Sequence, residues 1–264
     1  MSKLQRLFRK FLIPKVSSFE EAENFCNLKT PDGYQSKLLC KYRFHKLEDY
    51  IKNGGSLFRG PSTNILTYCI SYFLYFNKGK APKLIDFGGA CGENILFLKS
   101  IFGKEFTNKS FILESIAQSL ESKNWEFAKS LNFSNNIFEI LENGIDIFFT
   151  SCALNYIQKP YDVLFSVVKK KVPLICLTRN NFSSNPSAFI QVSNLSDNGF
   201  GNHIRKYGDP QIWYPCQTIS EKKIKDICLG SNYQLIFDNC LDKTGIVNKK
   251  DSYSRDLIFK LISR

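Results

Sequence analysis

Apolar and polar residues follow two alternating patterns along the middle of the chain. Short unbroken apolar runs, such as LIDF at 84–87 and DIFFTS at 146–151, are typical of strands that are buried on both faces of a sheet. Between these runs, segments such as 93–102 repeat apolar residues at the spacing of a helix. This regular alternation predicts an α/β fold with a mostly parallel sheet that is covered by helices.

The last third of the chain departs from this alternation. A fifth strand, PLICLTR, ends at Arg179, and a long segment without clear periodicity follows from Asn180 to about Thr218. Because a connection of this kind usually needs only about 2–6 residues, we expect 180–218 to be an insertion that covers a substrate site. The chain then ends with one helix and two strands that no helix separates, which predicts a C-terminal antiparallel hairpin and seven strands in all.

Residues 1–80 precede the alternating region and are predicted to form a helical extension packed on one domain at 81–264. The longest apolar run, Ile65 to Phe76, predicts a buried helix started by Ser62 or Thr63, because about twelve residues are too few for a bilayer that needs about twenty. The basic segment 3–15 predicts an amphipathic helix, which either docks on the protein or lies on a membrane surface. Charges interrupt its apolar residues, so it is not predicted to be a signal peptide.

Charge and cysteine content narrow the expected location and partners. The net charge of +12 is compatible with acidic partners, including nucleic acid, but the Lys and Arg residues are spread along the chain. The nine cysteines form no C-x-x-C pair and only two histidines are present, so we expect neither a metal site nor a disulfide framework. A cytoplasmic protein is therefore expected, with peripheral contact to the inner membrane through residues 3–15 as a variant of that expectation.

The stretch KLIDFGGACGENILFL at 83–98 combines a strand, a glycine-rich turn and the start of a helix. A dinucleotide fingerprint requires glycine at positions i, i+2 and i+5, and counted from Gly88 the third of these positions is Glu93. A P-loop ends in G-K-[ST], whereas this turn ends in Gly92-Glu93-Asn94. Both phosphate-binding patterns are disfavoured, also because Glu93 would repel a phosphate.

The pattern that fits is an acidic residue followed by small residues at every second position, here Asp86, Gly88, Ala90 and Gly92. This order is that of the first motif of class I S-adenosylmethionine-dependent methyltransferases. Small residues let the backbone approach a ligand closely, and a carboxylate at the strand end can bind an ammonium group. Glu114 ends the next predicted strand, where an acid can bind ribose hydroxyls. The structural alternatives are tight packing by the glycines and a helix cap by Glu114.

From about Gly33 to Val247 the chain resembles a family of bacterial class I methyltransferases associated with surface-glycan gene neighbourhoods. The blocks that carry the resemblance are GYQSK, LIDFGGACG, FILES, SCALNYIQKP, LTRNN, FIQVS and WYPCQTIS. The residues more particular to the family are Ser151, Leu154, Tyr156, Pro160, Arg179, Gln191, Tyr214 and Pro215. The resemblance implies a Rossmann-like class I methyltransferase fold and S-adenosylmethionine as cofactor. Where an aromatic residue is expected just after YPC, this chain has Gln217.

The predicted site residues fall at the carboxyl ends of the strands and in the segment 180–218. The residues predicted to bind the cofactor are Asp86, Gly88, Gly89, Ala90, Gly92, Glu114 and Ser151. The candidates for the acceptor side are Tyr156, Arg179, Gln191 and Tyr214. His203 is the candidate general base, because an unperturbed imidazole titrates near neutral pH. The structural alternatives are a helix cap for Ser151, core packing for Tyr156, an ion pair for Arg179 and an exposed loop for His203.

The leading hypothesis is an S-adenosylmethionine-dependent methyltransferase that acts on a hydroxyl of a glycan or of another small polar acceptor. The net charge leaves a nucleic-acid methyltransferase as an alternative, although TSCALNY stands after the fourth strand instead of an N-P-P-[YF] tetrapeptide. A further alternative is an interaction protein that retains the fold without catalysis. The intact acidic and glycine positions disfavour that last alternative.

Overall fold

A computed structural model of the chain describes residues 13–58, 60–242 and 251–262. The predicted basic helix at 3–15 therefore lies almost entirely outside the described residues, and so does its proposed contact with a membrane. Within the described part of the chain, no helix has the length and apolar character needed to cross a bilayer. The division into an extension at 1–80 and a domain at 81–264 stays a prediction.

The strands form one large and one small sheet. In chain order they are β1 (Leu84–Phe87), β2 (Ser110–Leu113), β3 (Asn132–Ser134), β4 (Ile147–Ser151), β5 (Leu174–Ser183), β6 (Ala188–Asn194), β7 (Gln211–Gln217), β8 (Tyr233–Asp242) and β9 (Ser252–Leu261). The seven-stranded sheet has the order β3-β2-β1-β4-β5-β9-β8, and β6 pairs only with β7. Strands β1 to β5 are parallel, and β9 runs antiparallel between β5 and β8. This is the Rossmann-like fold of class I methyltransferases, so the predicted fold class and its C-terminal hairpin are confirmed.

Helices cover the large sheet and extend beyond it. In chain order they are α1 (Phe19–Lys29), α2 (Lys37–Lys52), α3 (Pro61–Phe76), α4 (Glu93–Phe102), α5 (Glu105–Asn108), α6 (Ile116–Ser122), α7 (Ile137–Glu142), α8 (Pro160–Lys169) and α9 (Glu221–Gly230). The predicted apolar helix is α3, which begins at Pro61, one residue earlier than expected. A proline suits the first position of a helix because its missing N–H would have no partner there.

The core lies on both faces of the large sheet, because successive side chains of a strand point in opposite directions. Ile85, Phe148 and Ile175 pack on one face beneath α8 and α9. Leu84 and Phe149 pack on the other face against α3 and α4. Burial of each large apolar side chain contributes about 1.5–3 kcal/mol, and this two-sided burial explains the unbroken apolar runs in the sequence.

Residues 180–218 are not irregular, as the sequence had suggested, but contain the antiparallel hairpin β6–β7. In β7 the side chains alternate between more and less buried positions, which is the strand signature. Pro215 interrupts that signature in the sequence, because proline has no N–H to donate to a neighbouring strand. It is tolerated here because each strand of a two-stranded sheet has one edge that pairs with no other strand. Helix α1 covers one face of the hairpin, where Ala22 and Cys26 pack against Ile190.

Candidate active site

A cavity of about 690 Å³ opens at the carboxyl ends of four neighbouring strands, β2, β1, β4 and β5. Its other walls come from α2, from the hairpin β6–β7 and from the turn at 197–199. Open parallel sheets bind ligands at this edge, and the volume lies within the usual range of about 300–1,000 Å³ for small-molecule sites. The cavity is therefore a candidate active site.

The structure brings most of the predicted site residues to this cavity. Those that line it are Gly88, Gly89, Ala90, Glu114, Ser151, Tyr156, Arg179, Gln191 and Tyr214. Three predicted residues do not line it, namely Asp86, Gly92 and His203. For each of these three residues, the surrounding contacts explain why it does not line the cavity.

The turn after β1 brings backbone to the cavity wall. Gly88 has a φ of +69°, and a Cβ at this position would lie 2.2 Å from the Cβ of Ala153. Only glycine meets both requirements without displacing the segment that follows β4. Ala90 also has a positive φ, of +51°, which is unfavourable for a residue with a Cβ. A glycine would adopt this backbone conformation at a lower cost in free energy.

Asp86 lies beneath this turn and not in the cavity. Its Oδ2 accepts a hydrogen bond of 3.0 Å from Nδ2 of Asn94, and its side chain is 1% exposed. A Cβ on Gly89 would come within 2.5 Å of the same oxygen, so the turn closes directly over the carboxylate. Gly92 is also a packing position, since its Cβ would meet Leu131 and Ile112. Asp86 thus supports the turn from below and does not line the cavity, and its contact with the cofactor stays a prediction.

Glu114 is the carboxylate that does reach the cavity. Its Oε1 accepts the backbone N–H of Ala90 at 2.8 Å, and its Oε2 accepts the backbone N–H of Ser115 at 3.0 Å. Burial raises the pKa of Glu114, while Arg43 and these two N–H groups act in the opposite direction. A carboxylate has about four acceptor sites, so two remain for hydroxyl donors of a ligand.

Arg43 on α2 is a cavity residue that the sequence analysis missed. Its side chain is 7% exposed, and its guanidinium lies over the ring of Tyr34 at 4.3 Å from the centroid. Within the described part of the chain it forms no ion pair with a carboxylate. The sequence contained an indication that Arg43 is buried, because its spacing places it on the apolar face of α2 with Leu39 and Leu47. A buried cation of this kind requires an anion or hydrogen-bond acceptors.

Three tyrosines form one wall of the cavity. The ring of Tyr34 lies 4.4 Å from that of Tyr214 and 5.2 Å from that of Tyr156, between ring centroids. The hydroxyl of Tyr156 donates to Oε1 of Gln191 at 3.3 Å. Burial raises the pKa of Tyr156 well above its usual value. This wall therefore offers apolar ring faces and neutral hydroxyl groups, which suits a polar, uncharged part of a ligand.

Arg179 faces the cavity from an irregularity in β5. Its φ is +58°, and the pairing of β5 with β9 shifts register between Leu177 and Asn180. It is the single exposed position in an otherwise buried strand. Its guanidinium nitrogen Nη1 lies 3.5 Å from Oγ of Ser62, and Oγ of Ser151 lies 3.4 Å from the same oxygen. Arg179 lines the cavity, and it forms no ion pair within the described residues.

His203 lies outside the cavity. Its side chain is exposed, and its Nδ1 shares a hydrogen bond of 2.9 Å with the hydroxyl of Tyr42. The segment that carries it packs against α2, where Ile204 and Tyr207 contact the cluster that contains Tyr42. The general-base role for His203 required a side chain at the acceptor, and this position does not provide one.

Asn155 and Gln217 fix the wall without lining it. The amide of Asn155 is completely buried and donates to the carbonyls of Asn181 at 3.0 Å and Gln217 at 2.7 Å, and its Oδ1 accepts the Asn181 N–H at 2.9 Å. Gln217, which stands in place of an expected aromatic residue, donates from Nε2 to the carbonyl of Ile157. Gln217 therefore holds the segment after β4 in place and does not line the cavity.

Comparisons with known proteins give similarity at the level of the fold. No family model matches the chain, and no curated protein matches it. A solved S-adenosylmethionine-dependent methyltransferase from Clostridium acetobutylicum ATCC 824 is 12% identical, with 85% of this chain and 100% of that chain covered and a TM-score of 0.49. The CcbJ methyltransferase from Streptomyces caelestis is 8% identical over 84% and 99%, with a TM-score of 0.47. The N-terminal domain of EvdMO1 with SAH bound is 10% identical over 79% and 86%, with a TM-score of 0.46.

Proposed function

We propose that the protein is an S-adenosylmethionine-dependent methyltransferase that acts on a hydroxyl of a glycan or of another small polar acceptor. The observation that carries the proposal is Glu114, held by the Ala90 N–H at the wall of a cavity along the carboxyl edge of a parallel sheet. This arrangement presents a fixed acceptor for the two ribose hydroxyls of a nucleoside beside a backbone turn that has room for the rest of the ligand.

The cavity residues fit this cofactor on three points. The glycine turn brings backbone to the cavity wall, and a Cβ on Gly88 would displace this wall by colliding with Ala153. Glu114 has two acceptor sites left for ribose hydroxyls. Arg43 supplies a buried cation for the carboxylate of the methionine part, in keeping with the bidentate pairing that a guanidinium favours. When bound, S-adenosylmethionine supplies a methyl group that its sulfonium already activates for displacement.

The protein's main task is then to orient the acceptor. Correct positioning of two reactants can contribute roughly 7–11 kcal/mol to lowering a barrier. The wall of Tyr34, Tyr156 and Tyr214 offers ring faces for stacking and hydroxyls for hydrogen bonds, as a sugar ring requires. The size of the cavity favours a small acceptor over a polymer strand.

A hydroxyl acceptor also has to lose a proton. Asp197 lines the cavity from the turn after β6, and its Oδ2 accepts the backbone N–H of Asn194 at 3.0 Å. That bond fixes the side chain while its second oxygen can accept a proton. We assign this role to Asp197 in place of His203. A positioned base contributes about 10²–10⁴ in rate.

Calorimetry with S-adenosylmethionine, S-adenosylhomocysteine, NAD and ATP tests the proposal. We expect binding of the first two ligands and not of the last two, and loss of binding in Gly88→Val. Methyl-labelled cofactor then tests transfer to fractionated glycan and RNA pools. Tight NAD binding by the wild type, or unchanged cofactor affinity in Gly88→Val, would contradict the proposal.

A further inference from the structure

We propose that the acceptor carries an anionic oxygen group, a carboxylate or a phosphate, that binds to the guanidinium of Arg179. This inference rests on the proposed function, because it assigns the acceptor side of the same cavity. It adds a chemical class to an acceptor that the fold leaves open.

The first observation is the backbone of Arg179. A left-handed φ in a residue with a long side chain costs free energy, and such conformations persist where the surrounding structure enforces them. Bulges at strand ends frequently redirect a side chain toward a site. Here the bulge turns one side chain of β5 into the cavity while its neighbours stay buried.

The second observation is the residue that enforces this bulge. Asp256 on β9 is 3% exposed, and its carboxylate accepts the hydroxyl of Thr178 and the backbone N–H of Arg179. These two hydrogen bonds tie Asp256 to both residues at the bulge. Asp256 is a positioning residue: its charge attracts that of Arg179, but the two side chains form no ion pair in the described structure.

The third observation is the balance of charge around the cavity. The charged side chains that line it are Arg43, Arg179, Glu93, Glu114 and Asp197. Each of the three carboxylates accepts at least one backbone N–H, and none forms an ion pair with either arginine in the part of the chain described. The cofactor has one carboxylate, which can satisfy one arginine. The guanidinium of Arg179, which is exposed to the cavity, then stays available to an anionic oxygen of the acceptor.

The position of the two arginines decides which one serves the acceptor. The electrostatic neighbours of Arg43 are Tyr34 and Glu114, so it belongs to the cofactor side. Arg179 stands at the end of β5, three strands away from β2, which carries Glu114. The hydroxyl of Ser62 beside its guanidinium offers a further donor to an anionic oxygen.

The test uses the protein saturated with S-adenosylhomocysteine and follows the Nε–H signal of Arg179 by NMR at constant ionic strength. The signal is assigned by its absence in Arg179→Lys. The probes are acetate, inorganic phosphate and the neutral amide acetamide. We expect a saturable shift with acetate or phosphate and none with acetamide, and the responding anion tells a carboxylate from a phosphate acceptor. Equal shifts with acetamide, or no saturable shift with either anion up to ~100 mM, which is far weaker than specific binding, overturn the inference.

Two further measurements separate this inference from the proposed function and from a structural role. Arg179→Ala should retain the S-adenosylhomocysteine affinity of the wild type, as should the exposed control Arg205→Ala. A loss of cofactor affinity in Arg179→Ala alone would mean that Arg179 binds the cofactor, which refutes the inference. Failure of the wild type to bind S-adenosylhomocysteine instead refutes the proposed function.

Arg179→Gly separates anion binding from a structural role. This variant should keep or raise the melting temperature while losing the anion response, because glycine adopts the left-handed conformation freely. A lowered melting temperature would indicate a structural arginine.

Discussion

The backbone N–H of Ala90 donates to Oε1 of Glu114 across 2.8 Å, which joins the turn after β1 to the end of β2. The bond stabilises the unfavourable left-handed φ of Ala90, because a change of this backbone conformation would break a charge-assisted hydrogen bond. It also fixes the carboxylate before any ligand arrives. A preorganised acceptor of this kind loses little conformational freedom on binding.

Removing the Glu114 carboxylate should weaken cofactor binding. In Glu114→Ala the ribose hydroxyls lose a charged acceptor, and hydrogen bonds to charged groups contribute about 1.5–3 kcal/mol. We expect a drop in S-adenosylhomocysteine affinity of about tenfold or more by calorimetry. Glu126→Ala is the matched control, since that carboxylate is exposed and pairs with Lys129 on the surface. Normal binding by Glu114→Ala would show that the carboxylate does not contact the cofactor.

The raised pKa of Glu114 predicts a pH dependence. Burial raises the pKa above the usual 4.5, and only the charged form accepts two hydroxyls. Affinity should therefore be constant at higher pH and fall as the pH drops through the raised pKa. The free protein should show the opposite trend in stability, which declines as pH rises between 4.5 and the raised pKa, because the folded state holds this proton longer than the unfolded state. Calorimetry measures the affinity and urea unfolding measures the stability, both from pH 4.5 upward. Glu114→Gln should remove the pH dependence of each quantity that comes from the Glu114 carboxyl.

A matched pair of glycine variants separates close packing from backbone strain. Gly88 and Gly144 have φ values of +69° and +67°, but a Cβ at Gly144 meets nothing within 4 Å, whereas at Gly88 it meets Ala153. Both Gly→Ala changes should cost about 1 kcal/mol in stability from the left-handed φ, and Gly88→Ala should cost more because its Cβ overlaps that of Ala153. Gly88→Ala should in addition weaken cofactor binding, and Gly144→Ala should leave it unchanged. Equal affinities by calorimetry would mean that the turn does not approach the ligand.

The fold could be predicted from the sequence because strands that are buried on both faces leave unbroken apolar runs. Sequence reasoning also placed Glu114 at the sheet edge where the cavity lies, because a buried strand ends there, and the contact of Glu114 with a cofactor stays a prediction. It did not predict that Asp86 lies beneath the turn, since a motif gives the order of residues but not the height of a side chain relative to the turn above it. It also failed for Arg43, whose role depends on how α2 packs over the sheet, a contact between segments far apart in sequence.

The hairpin β6–β7 shows a different limit. Its strand periodicity was present, but Pro215 and several polar residues concealed it, and a two-stranded sheet tolerates both. The same error affected His203. An insertion that covers a cavity has an inner and an outer side, and only the packing of its turns against α2 decides which residues face inward.

The buried amide of Asn155 should be important for stability. In Asn155→Ala, the carbonyls of Asn181 and Gln217 and the Asn181 N–H lose the Asn155 amide, while the Asn181 carbonyl keeps the Ile219 N–H as a partner. Each buried group left without a partner costs about 1–3 kcal/mol. We expect the free energy of unfolding to fall by roughly 3 kcal/mol in urea titrations. Asn185→Ala, at an exposed position of the same region, should change it by no more than about 0.5 kcal/mol. Similar values for the two variants would argue against this network.

The last prediction compares the two candidate bases. His203→Ala removes an exposed side chain whose partner is the Tyr42 hydroxyl, so turnover should stay within about twofold of the wild type, far less than the loss of a positioned base would cause. Asp197→Asn keeps the size of the side chain and an oxygen to accept the Asn194 N–H, but removes the basic oxygen. Turnover of a hydroxyl acceptor should fall about 10²–10⁴-fold, with cofactor affinity unchanged. A large loss in His203→Ala together with an active Asp197→Asn would reverse the assignment.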